Sequence, residues 1–144
     1  MTTIAYDGNT LASDSLSCCG FKEQSPARKI YEREKQYIAG SGLVGAIKRW
    51  IEWYDDGADH DKFPDLKDDL GGIFIVDKET KLLQVWGAGY PYPVVDWNLK
   101  PNALGSGEQF AMGALLAGAN AEQAVIIASK LDTGTNDQVQ VIVL

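Results

Sequence analysis

The order in which hydrophobic periodicities change along this chain constrains its fold more than any other feature. Alternating stretches typical of strands open and close the chain, and segments with helical spacing lie between them. Asp7-Gly8-Asn9 is a strong hairpin signal between the first two strands. The predicted strands are 2–6, 10–15, 27–32, 35–40, 73–77, 82–87 and a C-terminal strand through Val139, Val141 and Val143, with a further short strand in the proline-containing stretch from Tyr90 to Pro101.

Three segments have helical character. The first carries Leu43, Ile47, Trp50, Ile51 and Tyr54 on one face and ends near Gly57. The second begins after Gly105, with Phe110, Ala111, Ala114 and Leu115 on one face, and the third runs from Ala121 to about Lys130 behind an Asn120–Gln123 capping box.

This order predicts an α+β layered fold. Two antiparallel sheets packed face to face, with helices on both outer faces, satisfy it as a four-layer αββα sandwich. No linker, repeat or low-complexity tract interrupts the chain, so residues 1–144 are predicted to form a single domain.

Composition excludes several classes of partner. Apolar residues make up 45% and charged residues 23%, which is ordinary for a globular protein. The net charge of −7 disfavours nucleic acid and anionic membrane surfaces as partners. No apolar run approaches the roughly 20 residues of a bilayer span, and the first residues do not resemble a secretion signal, so a cytoplasmic protein is expected.

Histidine and cysteine are scarce. His60 is the only histidine, and Cys18 and Cys19 are adjacent, so neither a histidine base nor a zinc site is predicted. The carboxylates between Asp55 and Asp69 do not have the spacing of a calcium loop, and the stretch is interpreted as a solvated loop, or alternatively as a docking surface. No metal and no cofactor are expected.

The chemistry suggested by the sequence begins at Thr2. Methionine is generally removed before a small residue, which would leave Thr2 at the N-terminus. Its hydroxyl would be the nucleophile, and its free amine, with an unperturbed pKa near 8, the base. Alternatively, Met-Thr-Thr is simply the beginning of a first strand.

Several motifs in order resemble one family. Thr2-Thr3-Ile4-Ala5, the hairpin, and Leu11-Ala12-Ser13-Asp14-Ser15 resemble the opening of proteasome β subunits and their bacterial relative HslV. The resemblance implies an N-terminal-nucleophile (Ntn) hydrolase fold, with Asp14 and Lys29 beside the threonine. Lys29 would favour the alkoxide form of Thr2, and Asp14 would hold the ammonium. Otherwise Asp14 is a turn former and Lys29 an exposed strand residue.

The resemblance extends to the end of the chain. Ile38-Ala39-Gly40-Ser41-Gly42 implies an oxyanion-hole glycine, with Gly40 the best match and Gly42 the alternative. Leu104-Gly105-Ser106-Gly107 resembles the family's helix start, where Ser106 would bond near the threonine amine and also form a capping box with Gln109. Asp132 would orient the catalytic group, with Thr135 in place of the usual serine.

The implied activity is that of a threonine endopeptidase. By offset from these motifs, Ser17, Ala27 and Ile38 would line the pocket for the residue before the scissile bond, which predicts cleavage after apolar residues. Cys18 would lie at the rim of this pocket, or alternatively pack at a strand end. The expected partners are a polypeptide substrate, further copies of the chain in a self-compartmentalising ring and, as an option, a separate ATP-dependent unfoldase. A catalytically silent structural subunit and an amidase for small amides remain alternatives. The Thr2–Asp14 interval and the Lys29–Gly40 loop are shorter than in the family.

Overall fold

The fold is that of a computed structural model, which describes residues 2–19, 22–24, 26–66 and 68–144, and only the backbone of residues 18–19 and 22–24. The strands are β1 Thr3–Tyr6, β2 Thr10–Ser13, β3 Ser17–Cys19, β4 Lys22–Gln24, β5 Ile30–Glu32, β6 Gln36–Gly42, β7 Leu70–Asp77, β8 Leu83–Gly87, β9 Pro93–Asn98, β10 Asn102–Gly105 and β11 Gln140–Val143. The helices are α1 Val44–Asp55, α2 Glu108–Leu116 and α3 Ala121–Ser129, with a short 3₁₀ turn at His60–Lys62.

Two antiparallel sheets dominate the architecture. One has the order β10-β1-β2-β11, and the other has the order β5-β6-β7-β8-β9. The hairpin β3–β4 pairs separately. Strands β1 and β2 of the first sheet and β7 and β8 of the second are buried on both faces, because one face meets the other sheet and the other face meets helices.

Three apolar clusters fill the spaces between these layers. Ile4, Tyr6 and Leu11 of the first sheet pack against Phe74 and Val76 of the second. The outer face of the second sheet packs on α1 through Ile38, Ile47, Trp50, Ile73 and Ile75. The outer face of the first sheet packs on α2 and α3 almost entirely through alanine, which lets helix and strand backbones approach closely: Ala5, Ala12, Ala103, Ala111, Ala114, Ala121, Ala124 and Ala128. The predicted αββα order of layers is confirmed.

Strand alternation places the beginning of β1 between two environments. Ile4 and Tyr6 face the other sheet, whereas Ala5 faces the helices. Thr3 therefore points toward the helix layer, and Thr2 toward the opposite side. The turn that joins β1 to β2 is held by Asp7, whose carboxylate accepts hydrogen bonds from the N–H groups of Asn9 and Thr10 at 2.9 and 2.8 Å.

The structure corrects some local predictions. The strand predicted at 27–32 begins only at Ile30, so Lys29 lies just before it, and strands β3, β4 and β10 were not predicted. Phe110 is 39% exposed rather than on the buried face of α2. The capping box predicted for α3 is confirmed, with Asn120 accepting from the N–H of Gln123 and the Gln123 side chain accepting from Asn120.

Candidate active site

Three side chains predicted from separate segments meet at the end of β1. The Lys29 ammonium donates to Thr2 Oγ1 at 3.0 Å and to Asp14 Oδ1 at 2.8 Å. Thr2, Asp14 and Lys29 are 4%, 0% and 8% exposed. A buried ammonium held by a carboxylate therefore contacts the threonine hydroxyl directly.

Asp14 is fixed by backbone donors as well as by the ammonium. Its Oδ1 accepts from the N–H of Thr3 at 3.0 Å, and its Oδ2 accepts from those of Leu16 at 3.1 Å and Asn136 at 3.4 Å. These bonds compensate the burial of the charged group, which would otherwise be unfavourable. They also connect β1, the end of β2 and the segment before β11 at one point.

Lys29 is positioned by Gln140, a residue that the sequence did not single out. The Gln140 amide accepts from the Lys29 N–H through Oε1 at 3.2 Å and donates through Nε2 to the Ala27 carbonyl at 2.6 Å. This amide therefore forms hydrogen bonds with the backbone on both sides of Arg28, an arrangement called the Gln140 clamp below. The position of Lys29 thus depends on β11, which lies more than a hundred residues further along the chain.

A second set of polar groups surrounds the Thr2 nitrogen. The Thr2 N–H donates to Ser106 Oγ at 3.2 Å, and the Ser106 hydroxyl donates to Asp132 Oδ2 at 2.7 Å. The Thr135 hydroxyl donates to the same oxygen at 2.6 Å. Because that donation uses the only hydroxyl proton of Thr135, Thr3 is the donor in the 2.6 Å contact between Thr3 Oγ1 and Thr135 Oγ1.

These donors determine the charge state of Asp132. Partial burial acts to raise the pKa of its carboxyl group, but hydrogen bonds from Thr135, Ser106 and the backbone of Gly134 outweigh burial and lower that pKa below its ordinary value. Asp132 is therefore the charged end of a hydrogen-bonded chain that starts at the Thr2 nitrogen.

Ser106 does not cap α2, so the capping box with Gln109 is wrong. Gly107 is the N-cap residue, and no side chain caps this helix. The Ser106 hydroxyl is instead engaged by Thr2 and Asp132. The Thr2 N–H and the Asp132 carboxylate have thus replaced the backbone N–H of Gln109 as partners of this hydroxyl.

The residues on both sides of Ser106 must be glycine, because a side chain at either position would clash with Thr2 or Thr3. Gly105 has a φ of +102°, and a Cβ on it would lie 2.0 Å from the Thr2 carbonyl oxygen. A Cβ on Gly107 would lie 2.0 Å from Thr3 Oγ1. Only glycine permits this approach, and it brings Ser106 to the threonine nitrogen.

A cavity of about 530 Å³ opens beside Thr2 on the Lys29 side. Ser17 and Ala27 line it, as predicted, but Ile38 does not, because Ile38 is fully buried against α1. The fourth predicted residue, Cys18, has its side chain outside the described part of the structure. Lining residues that the sequence did not suggest are Leu16, Arg28, Tyr31, Leu43, Val44, Ile47, Asp68 and Asp69.

The two candidate oxyanion glycines, Gly40 and Gly42, both line this cavity and differ in their backbone contacts. The Gly40 N–H already donates to the Lys29 carbonyl at 3.4 Å, and a Cβ on Gly40 would lie 2.9 Å from side-chain atoms of Ile47 and Ile73. Gly42 also lines the cavity and lies where the register between β6 and β7 shifts. Its φ of +124° and a Cβ position 2.4 Å from the Asp69 carbonyl oxygen require glycine there.

Comparison with solved structures identifies the fold. Eukaryotic HslV from Trypanosoma brucei superposes with a TM-score of 0.74 at 18% identity, over 99% of this chain and 98% of that chain. This chain has the HslV fold. Thiobacillus denitrificans BPH has the same arrangement, with a TM-score of 0.72 at 19% identity for its complex with epoxomicin and 0.66 at 20% for BPH alone. Each BPH match covers 99% of this chain and at least 96% of the other.

These solved structures thus confirm the fold that the motif resemblance implied. No family model matches the chain, and no curated protein matches it in sequence.

Within the described ranges, no group of three or more histidine, cysteine or acidic side chains is placed to hold a metal ion. None of the helices that the structure describes is long and apolar enough to cross a membrane.

Proposed function

We propose that this chain is a threonine-type endopeptidase whose nucleophile is Thr2 Oγ1 once the residue before it has been removed. One observation carries the proposal: the two reactive groups of Thr2 are held by different partners. The hydroxyl oxygen accepts from Lys29 Nζ at 3.0 Å, while the nitrogen lies 3.2 Å from Ser106 Oγ. A threonine that served only as a strand residue would need neither arrangement.

The proposed reaction uses the threonine's own amine as the base. The neutral amine takes the proton of Oγ1, and the oxygen attacks the peptide carbonyl to form a tetrahedral intermediate. Lys29 stabilises negative charge on the attacking oxygen, and its positive charge favours the neutral form of the amine. The protonated amine then donates to the leaving nitrogen, which leaves an ester on Thr2. Water activated by the same amine hydrolyses that ester.

The remaining polar groups orient these steps. Ser106 accepts from the Thr2 nitrogen and is itself fixed by Asp132, so the lone pair of the free amine would be directed at Oγ1. Thr135 holds Asp132 in place. We assign the oxyanion contact to the backbone N–H of Gly42 rather than Gly40, whose N–H bonds to Lys29.

The cavity beside Lys29 would bind the residue before the scissile bond. Leu16, Ala27, Tyr31 and Ile47 give it an apolar lining, which supports a preference for apolar residues. The charged residues Arg28, Asp68 and Asp69 also line it. Substrates with leucine or phenylalanine at this position are expected to be cleaved faster than those with lysine or glutamate.

We also propose a homo-oligomeric ring in the cytoplasm that encloses the active sites and takes polypeptide substrates, with a separate ATP-dependent unfoldase as the partner that would deliver them. Exposed apolar side chains support an interface between copies, among them Leu116 at 76%, Leu131 at 62% and Val143 at 71% exposure. Size-exclusion chromatography with light scattering tests the ring, and a monomer at working concentration would contradict it.

Covalent labelling tests the nucleophile. The protein is expected to have an intact mass without Met1 and to gain one equivalent of a threonine-directed epoxyketone at Thr2. Thr2→Ala should abolish labelling, and Thr2→Ser, which keeps hydroxyl and amine, should retain it. A protein that lacks Met1 yet is inert to the reagent and to a peptide library would refute the proposal.

A further inference from the structure

Strand pairing gives the direction of the Gly42 N–H, the donor assigned to the oxyanion. In an antiparallel sheet, the N–H groups of residues two apart on one strand point to the same side. The Gly40 N–H donates to the Lys29 carbonyl at 3.4 Å, so the Gly42 N–H is directed to that same side of β6. Strand β5 begins at Ile30 and does not extend far enough to cover Gly42, which lines the cavity beside Lys29. The Gly42 N–H therefore points toward this cavity and away from β7.

The peptide group between Ser41 and Gly42 carries this N–H. Because a trans peptide is planar, its C=O and N–H point in opposite directions. A Cβ built on Gly71 of β7 would lie 3.1 Å from the Ser41 carbonyl oxygen and 3.4 Å from its carbonyl carbon. The carbonyl thus faces Gly71, which agrees with an N–H on the cavity side. The φ of +124° at Gly42 turns the chain after this nitrogen and does not change the direction of the N–H.

The next N–H along the chain already has an acceptor. The Leu43 N–H donates to the Asp69 carbonyl at 2.7 Å. This bond holds the chain that follows Gly42 against the loop before β7. The position of the Gly42 nitrogen then depends on the residue that precedes it, Ser41.

A β-bulge places Gly71 against Ser41. Ser41 pairs with Gly72 and Gly42 pairs with Leu70, so Gly71 has no counterpart in β6. A bulge bends its strand and changes the direction of neighbouring groups, and such irregularities are common beside active sites. Here the bulge lies directly behind the peptide group that carries the oxyanion donor.

The Ser41 side chain fills the space that glycine leaves at position 71. A Cβ on Gly71 would lie 2.4 Å from Ser41 Oγ, which is far inside van der Waals contact. The Ser41 residue is 3% exposed, and its Oγ has no hydrogen-bond partner among the described residues, so the hydroxyl acts here as a packing group. The φ of Gly71 is outside the left-handed region. Position 71 therefore requires glycine because of the contact with Ser41 and not because of its backbone conformation.

We propose that Gly71 is a positioning residue for the oxyanion N–H. Because it has no side chain, the Ser41–Gly42 peptide group packs against the bulge with its N–H directed at the cavity beside Lys29. A methyl group at position 71 would displace Ser41 Oγ and the Ser41 carbonyl, and would turn the Gly42 N–H away from the substrate carbonyl. This inference rests on the proposed function.

Labelling kinetics of Gly71→Ala test the proposal. A leucyl epoxyketone gives two constants: KI, which reports binding in the cavity beside Lys29, and kinact, which reports attack by Thr2. Since an oxyanion contact forms only as the carbonyl is attacked, kinact is expected to fall at least about tenfold while KI stays unchanged. Gly45→Ala, at an exposed position of α1 where a Cβ meets nothing within 4 Å, should keep both constants. A wild-type kinact in Gly71→Ala, or a change confined to KI, would overturn the proposal.

The double variant Ser41→Ala/Gly71→Ala tests whether the effect passes through Ser41. It removes the hydroxyl oxygen and places the new methyl group in the space that this oxygen occupied. The double variant is therefore expected to recover most of the kinact that Gly71→Ala loses, a non-additive result typical of residues in contact. A double variant as slow as Gly71→Ala would show that the methyl acts by another route and would overturn the proposal.

Ser41→Gly probes the same contact without a clash, and so serves even if Gly71→Ala does not fold. It removes the group that packs against Gly71, so kinact should fall several-fold with KI unchanged and one equivalent of label still bound per molecule. A lower label stoichiometry at wild-type kinact would show a general loss of folded protein and would contradict the proposal. A wild type that lacks Met1 and is inert contradicts the proposed function. A reactive wild type whose kinact is shared by Gly71→Ala and Ser41→Gly contradicts this inference alone.

Discussion

Lys29 Nζ lies 2.8 Å from Asp14 Oδ1, in an ion pair whose side chains are 9% and 0% exposed. Loss of either partner leaves the other as a buried charge without its counter-ion, which typically costs about 3–5 kcal/mol. Lys29→Met and Asp14→Asn are each expected to abolish labelling of Thr2 and to lower the free energy of unfolding by about that amount. The double variant should lose clearly less stability than the sum of the two, because neither charge is then left alone. Urea denaturation of all four proteins measures the coupling, and additive losses would contradict it.

The two residues Gly105 and Gly118 provide a matched steric test. Their φ angles are +102° and +103°, but a Cβ on Gly105 would lie 2.0 Å from the Thr2 carbonyl oxygen, whereas one on Gly118 meets nothing within 4 Å. Gly118→Ala is expected to cost only the backbone strain of about 1–2 kcal/mol. Gly105→Ala should cost more and should also displace Thr2 from Ser106, with loss of labelling. Equal destabilisation by the two variants would show that the contact at Thr2 is relaxed without cost.

The lowered pKa of Asp132 predicts a pH dependence of stability. The folded protein prefers the ionised carboxylate, so its contribution is complete above the ordinary pKa of 3.8 and is lost as the pH falls through the lowered value. Asp132→Asn removes this contribution. The free energies of unfolding of variant and wild type should differ near neutral pH, and the difference should shrink as the pH falls below 3.8. Asp137→Asn controls for the loss of one negative charge, and a difference between wild type and Asp132→Asn that does not vary with pH would contradict the assignment.

Local patterns in the sequence were sufficient to predict most strands and helices. The hairpin at Asp7 and the capping box at Asn120 depend on residues a few positions apart, and both were predictable. The short strands β3, β4 and β10 lack a clear two-residue pattern and were missed. Ser106 was assigned a local capping role because Gln109 follows it at capping-box spacing, although Asp132 is its acceptor in the fold.

The residues of the candidate site likewise fall into those that sequence motifs suggested and those that only the tertiary fold reveals. Motif order placed Thr2, Asp14, Lys29, Ser106, Asp132 and Thr135, and the fold brings these residues together. Ile38 was misplaced because the offset along a strand does not reveal which face is covered by α1.

Gln140 shows how the last strand controls a residue near the beginning of the chain. Its Oε1 accepts from the Lys29 N–H at 3.2 Å, and its Nε2 donates to the Ala27 carbonyl at 2.6 Å. Gln140→Leu removes both bonds and leaves two partly buried backbone groups unsatisfied, at about 1–3 kcal/mol each. The variant is expected to be destabilised and to react with the epoxyketone at least about tenfold more slowly, because Lys29 is no longer held at Thr2 Oγ1.

Gln140→Glu distinguishes the contribution of the hydrogen bond to Lys29 from that of the hydrogen bond to Ala27. It keeps an acceptor for the Lys29 N–H but places a carboxylate oxygen against the Ala27 carbonyl, where the wild type has a donor. If the bond to Lys29 is what positions the ammonium, this variant should react faster than Gln140→Leu despite a comparable loss of stability. Gln109→Leu, at an exposed position of α2, is the control for a glutamine-to-leucine change. Wild-type reactivity in Gln140→Leu would show that Lys29 reaches Thr2 without the clamp, and that Asp14 alone determines its position.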